Sequence, residues 1–206
     1  MDRTTRQHIL AVALRHFADR GYSGASVQDI VDEAKVAKPM LYYYFESKAG
    51  LYQALIDTAH DERYRIMLDA VEGRENLEAK LEAILIALFD FIQKHRELVR
   101  LAFASAFAAP GEVPEGLCRE KCDRNFEFIH ELAQEGLASG ELDERFESRD
   151  LAIAWYGLMN IYVVGQLLKP EISYCENTAR SVVDLFFNGA GAKRRAAKAG
   201  RVKVRS

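Results

Sequence analysis

Four prolines in 206 residues leave little to interrupt helices, and long stretches with helical periodicity follow one another with few breakers. Three cysteines, Cys118, Cys122 and Cys175, cannot build a disulfide framework, and the odd count points to free thiols in a reducing compartment. Cys118 and Cys122 stand four apart on one helix face. No histidine or third thiol completes a ligand set around them, so a soft-metal or redox site is the lesser reading and no metal is expected. The histidines His8, His16, His60, His95 and His130 are scattered, with no serine or cysteine that spacing would place beside them. No glycine loop could cradle a phosphate, and no carboxylate pair is better read as catalytic than as a solvated helix face. Neither an enzyme nor a cofactor is therefore expected. There is no run of about 18 uninterrupted apolar residues, and the N-terminus carries charge where a signal peptide needs its apolar core. The expectation is a cytoplasmic protein with no membrane partner.

Positive charge is also short over most of the chain. Residues 1–50 hold seven Lys/Arg against six Asp/Glu, residues 51–188 hold fourteen against twenty-five, and residues 189–206 hold seven against none. An anionic partner must then be met by a few local cations and helix N-termini, not by a global basic field. The segment 190–206 reads as a basic, solvated, disordered tail, with non-specific attachment to nucleic acid as the second reading. With 49% hydrophobic and 29% charged residues, the remainder can bury one sizeable core and a small satellite domain.

The most organised stretch is Ser26 to Lys48. Ser26 followed by Asp29 is a helix-starting pair, and Val27, Ile30, Val31 and Ala34 repeat at helical spacing. Val36 then serves as the apolar plug of a tight corner, and Pro39 falls in the first turn of a second helix, where its missing N–H costs nothing. That helix, Lys38 to about Tyr44, is two turns long and can bury one stripe, Leu41 with Phe45 or Tyr44. Successive residues lie about 100° apart around a helix, so Tyr42, Tyr43 and Tyr44 cannot all face one core. At least one phenol must point outward beside Lys38 and Met40, where it could meet a phosphate oxygen or a base edge.

In this order the chain supplies Gly21-Tyr22, Ser26-Val27-Gln28-Asp29-Ile30, Leu41-Tyr42-Tyr43-Tyr44-Phe45 and Ser47-Lys48. The pattern resembles the DNA-binding region of the TetR family of transcriptional regulators. It departs from that family at Lys35, where a turn glycine is usual, at Ala37, where Ser or Thr usually caps, and at Met40, where a small hydroxyl residue is common. The resemblance implies an all-α fold of about nine helices, in which residues 1–47 form a three-helix helix-turn-helix domain. Residues 48–189 would form an effector-binding and dimerisation domain. Contacts to the DNA backbone fall to Ser26, Tyr42 and Lys48, and base-edge contacts to Gln28, Lys38, Pro39 and Tyr43, with Met40 on the same exposed tip. Arg3 and Arg6 are either a basic arm on the DNA backbone or a solvated terminus.

The first helix is expected from Thr4 to Arg20, with Ile9, Leu10, Ala13, Leu14 and Phe17 buried and Gly21 as a left-handed cap. Further helices are expected at 48–70, from the Asn76 cap to Lys94, at 97–108, 114–139, 148–168 and 176–188. The run from Leu151 to Val164 is apolar almost all round and needs a second surface. The last helix is also broadly apolar, so both match the family's four-helix interface and imply a symmetric homodimer on a palindromic double-stranded operator. An effector pocket is expected between the helices spanning 76–168, near Phe89, Phe103, Phe107, Phe126, Ile129, Trp155, Met159, Asn160 and Tyr162. For any one of these side chains core packing is the favoured reading, whereas a buried amide at Asn160 requires a partner, from a ligand, a backbone carbonyl or a dimer mate. The implied function is a DNA-binding regulator, most often a repressor, released by a small hydrophobic effector. The alternative is a protein of the same fold acting through a protein partner or non-specific nucleoid binding, without an effector.

Overall fold

The computed structural model describes residues 3–117, 119–169 and 171–189. The expectations for the Arg3 side chain, for Cys118 and for residues 190–206 lie outside the described residues. Among those described, nine helices follow in order: α1 (Arg3–Gly24), α2 (Val27–Ala34), α3 (Lys38–Phe45), α4 (Lys48–Val71), α5 (Leu77–Lys94), α6 (Arg96–Ala106), α7 (Arg119–Ser139), α8 (Ser148–Leu168) and α9 (Glu176–Asn188).

Two boundaries differ from expectation by more than two residues, each because of glycine. Gly21 (φ 69°, ψ 176°) breaks α1 where a cap was expected, but the chain re-enters helical geometry for one more turn to Gly24. That extra turn holds Tyr22 against Phe17 and Tyr52, with ring centroids 6.0 and 5.1 Å away. The expected helix from Pro114 begins only at Arg119. Gly111 (φ 86°) and Gly116 (φ 76°) adopt left-handed backbone and turn the preceding residues into a compact loop.

Two apolar clusters hold the helices together. The first joins Ile9, Val12 and Phe17 of α1, Ile30 and Val31 of α2, Leu41 and Phe45 of α3, and Leu51, Tyr52 and Ile56 of α4 to Ile92 of α5 and Leu101 of α6. It therefore crosses the expected domain boundary at residue 47. The second collects Met67, Leu81, Leu85, Phe89, Ile129, Trp155, Met159, Val182 and Val183 from α4, α5, α7, α8 and α9. Polar caps fix where helices begin: the Ser47 hydroxyl accepts from the Gly50 N–H at 3.0 Å, and the Asn76 side chain accepts from Ala79 at 2.8 Å.

The corner between α3 and α4 is so close that a Cβ on Gly50 would lie 2.1 Å from the Phe45 carbonyl oxygen. Glycine to alanine inside a helix ordinarily stabilises by about 1 kcal/mol. Here Gly50→Ala should instead lower the melting temperature by roughly 2–10 °C. A thermal melt with an unchanged or raised midpoint would show that the corner is looser than described.

Candidate nucleic-acid interface and effector cavity

The α1–α2 pair is clamped by charge on its outer side. Arg15 and His16 both reach the Glu33 carboxylate, at 2.6 and 2.7 Å, and Arg20 meets Asp29 at 2.6 Å. Hydrogen bonding from Arg15, then from His16, holds the Glu33 carboxyl below its ordinary value. At the start of α2 the Ser26 hydroxyl accepts from the N–H groups of Gln28 (3.1 Å) and Asp29 (3.5 Å). Lys35 closes α2 in the left-handed region (φ 53°, ψ 41°), a conformation glycine adopts at less cost. Its side chain is thereby exposed in the corner, beside half-buried Val36.

α3 starts at Lys38 after Ala37, whose side chain caps nothing; Pro39 has no N–H, and the Met40 N–H donates to the Ala37 carbonyl at 2.8 Å. Leu41 is fully buried and Phe45 is 4% exposed, which fixes the rotation of the helix. Lys38, Pro39, Met40, Tyr42 and Tyr43 consequently face outward, with Tyr43 61% exposed. The Tyr43 ring meets Tyr44 edge-on at 5.3 Å, which restrains its direction.

The other three residues expected at DNA sit differently. Gln28 is exposed, but its amide donates to Asp32 at 2.8 Å. The Ser26 oxygen is occupied by the cap just described. Lys48 is turned back on its own domain, its ammonium 4.6 Å from the Tyr22 ring centre and donating to the Ser23 carbonyl at 3.4 Å. Lys48, expected at a phosphate, here braces the start of α4 against the end of α1 through cation–π attraction and a hydrogen bond. Arg6 likewise lies over Phe45, 5.1 Å from its centroid, at the base of α3.

A cavity of about 330 Å³ opens at the seam between the two apolar clusters, among α4, α5, α6, α7 and α8. Phe103, Phe107, Phe126 and Asn160 line it; Phe107, 85% exposed, stands at its mouth. Phe89, Ile129, Trp155, Met159 and Tyr162 do not line it and are corrected to core positions. Trp155 and Met159 are essentially fully buried in the second cluster, and Tyr162 packs with Phe89 and Tyr174. Trp155, Met159 and Tyr162 pack into the second cluster, so the cavity lies about 100° round α8 from them, one residue on, at Tyr156, Asn160 and Val163.

Sequence reasoning placed no part of α4 here, yet Ala59, His60 and Arg63 form one wall. The signal was present: Leu51, Leu55 and Ala59 repeat every four residues, and the next member of that inner stripe is Arg63. Arg63 donates to the Asn160 side-chain oxygen at 2.9 Å, which supplies the partner that amide requires. His60 contacts the Cys122 sulfur at 3.8 Å and the buried Asn125 amide at 3.5 Å. Nearby, α4 and α7 are tied by Asp61. Burial raises its carboxyl pKa, but hydrogen bonds from Lys121 and Arg124 outweigh that, and the net direction is down.

The far side of α8 exposes Ile153, Gly157, Ile161 and Leu168 along one stripe, and α9 adds Leu185. By length and composition α8 could cross a membrane, but its opposite side carries Trp155, Met159 and Gln166 into the protein core.

Residues 9–55 match the family model described as bacterial regulatory proteins, tetR family. The HTH-type transcriptional activator FasR of Mycolicibacterium smegmatis is 33% identical over 108 residues, 52% of this chain and 49% of that protein. The chain spans about half or less of the first curated relatives it matches. A tetR-family transcription regulator structure from Shewanella sp. PV-4 superposes with TM-score 0.71 at 26% identity, covering 90% of this chain and 97% of that one. The regulator FadR from Bacillus subtilis, solved in complex with stearoyl-CoA, has the same fold at TM-score 0.74 and 20% identity, covering 90% and 99%. With residues 9–55 matched in sequence and the helical body matched in structure, the chain carries a TetR-family helix-turn-helix on the fold of TetR-family regulators.

Proposed function

We propose that this chain is a ligand-responsive repressor that binds a palindromic operator as a homodimer and is released by a small, mostly hydrophobic effector. The observation that carries the reading is the outward face of α3, where Lys38, Pro39, Met40, Tyr42 and Tyr43 are exposed while Leu41 and Phe45 are fixed inside. A cation and two phenols on a short rigid projection suit a major groove: Lys38 and Tyr43 to base edges, Pro39 and Met40 to apolar surface such as a thymine methyl, Tyr42 to the backbone.

One base contact contributes only about 1–3 kcal/mol of discrimination, too little to select one genomic locus. A two-fold dimer doubles it and demands half-sites about one helical turn, or a multiple, apart. The exposed Ile153, Ile161 and Leu168 stripe with Leu185 offers the apolar surface for such pairing.

The effector reading rests on the cavity and on what connects it to α3. α4 runs unbroken from the corner at Lys48 to the cavity wall at Arg63, about 22 Å at 1.5 Å per residue. α6 also lines the cavity and ties to α1, Arg100 donating to the Ala18 carbonyl at 3.2 Å. A ligand that parts α4 from α6 would tilt the reading head and misplace the two α3 copies on the operator. The stearoyl-CoA of the Bacillus subtilis neighbour is in keeping with an effector that has a long apolar portion.

Mobility shifts with the DNA upstream of its own gene should show a complex that prefers this duplex to unrelated DNA and weakens steeply with salt. Binding indifferent to sequence would contradict the operator reading. Lys38→Ala and Tyr43→Ala should each weaken specific binding by about 5- to 150-fold without lowering the melting temperature, since both side chains are exposed. Retained affinity and selectivity in both variants would remove α3 as the reader. In sedimentation the wild type should be a dimer and Ile161→Glu a monomer; a dimeric variant would place the interface elsewhere, and a monomeric wild type would overturn the homodimer.

A further inference from the structure

We infer that the effector carries an anionic head group, a carboxylate being the smallest of the class, which docks on Arg63 while its apolar chain fills the rest of the cavity. This rests on the reading of the cavity as an effector site.

Arg63 is the one Lys or Arg that lines the cavity among the described residues; like Arg96, whose guanidinium meets the Leu167 carbonyl, it has no carboxylate partner among them. Its neighbours are matched: Arg65 pairs with Glu62 and Asp69, while Lys121 and Arg124 both pair with Asp61. Arg63 is partly buried in the cavity wall and makes no ion pair among the described residues. Its guanidinium has one neutral hydrogen bond, to Asn160, a long contact to the Met159 sulfur at 3.9 Å, and the Tyr156 ring face 5.1 Å away. Its Nε is out of solvent with no hydrogen-bond partner.

A partly buried cation without a counter-anion is costly, and residues 51–188 contain an excess of carboxylates that could have paired with it. The planar fork of donors fits a carboxylate side-on, and Asn160 holds that fork from behind. Asp123 also lines the cavity, but it is exposed at the rim and beyond ion-pair distance of Arg63; His60, Cys122 and Tyr156 are the other titratable groups of the wall. A neutral hydrophobe would leave the guanidinium charge unmatched. At about 30 Å³ per non-hydrogen atom, the density of liquid water, the cavity of about 330 Å³ takes on the order of ten such atoms, a medium-length chain.

The test is calorimetric titration of the full-length protein with decanoate and with 1-decanol, which share a chain and differ in charge. Wild type should bind decanoate about tenfold or more tightly than decanol. Arg63→Met should reduce decanoate to the level of decanol while leaving decanol within about twofold, and Arg63→Lys should restore part of the difference. Equal binding of the two by wild type, no binding of either, or an undiminished carboxylate preference in Arg63→Met would overturn the inference. Mobility shifts on the same preparation separate it from the regulator reading. Operator binding with no carboxylate preference sinks only the anionic head, and an Arg63-dependent preference without sequence-specific DNA binding sinks only the regulator.

Discussion

An eight-residue helix has almost no stability of its own in water, because nucleation costs more than two turns of hydrogen bonds return. α3 persists because Leu41 and Phe45, four residues apart on one side, are sunk into the cluster shared by α1, α2, α4 and α6. That single constraint sets the rotation of the helix, and the rotation decides which side chains meet solvent. It also ties α3 to elements that line the cavity, since Leu51, Tyr52 and Ile56 of the same cluster lie on α4, and Leu101 lies on α6. The exposed face and the cavity wall are thus two ends of one packed body.

Much of this was legible beforehand, for reasons that differ by residue. Ser26, Pro39, Ser47 and Asn76 announce helix starts because caps and first-turn prolines depend on local backbone chemistry alone. The alternation of Leu41 and Phe45 with tyrosines revealed an inside and an outside because two turns offer one buried stripe. The brace from Lys48 was not legible because its partner, the Tyr22 ring, is set by the extra turn after Gly21, and a glycine that kinks a helix looks the same in sequence as one that ends it. The loop before α7 was missed for the related reason that Gly116 acts inside a run of otherwise helix-compatible residues.

The cavity was the least legible part. Phe89, Trp155 and Tyr162 share composition with Phe103 and Phe126, and only the rotation of α8 separates core from cavity lining. Periodicity carried the better clue at Arg63, a charge where the inner stripe of α4 calls for an apolar side chain. Asn160, which sequence placed in an apolar helix without a partner, and Arg63, a cation without an anion, turn out to face one another. Polar groups that break an apolar pattern were more informative here than the aromatics that continue it.

Operator recognition as proposed depends on the outward side of α3 meeting duplex DNA. Hydroxyl-radical labelling of the protein, read by mass spectrometry with and without the bound upstream duplex, measures this at each tyrosine. Tyr42 and Tyr43 should lose reactivity on binding while Tyr22 and Tyr52, packed against one another at 5.1 Å, stay as they were. Unchanged labelling of Tyr42 and Tyr43 in a saturated complex would mean that another surface holds the DNA.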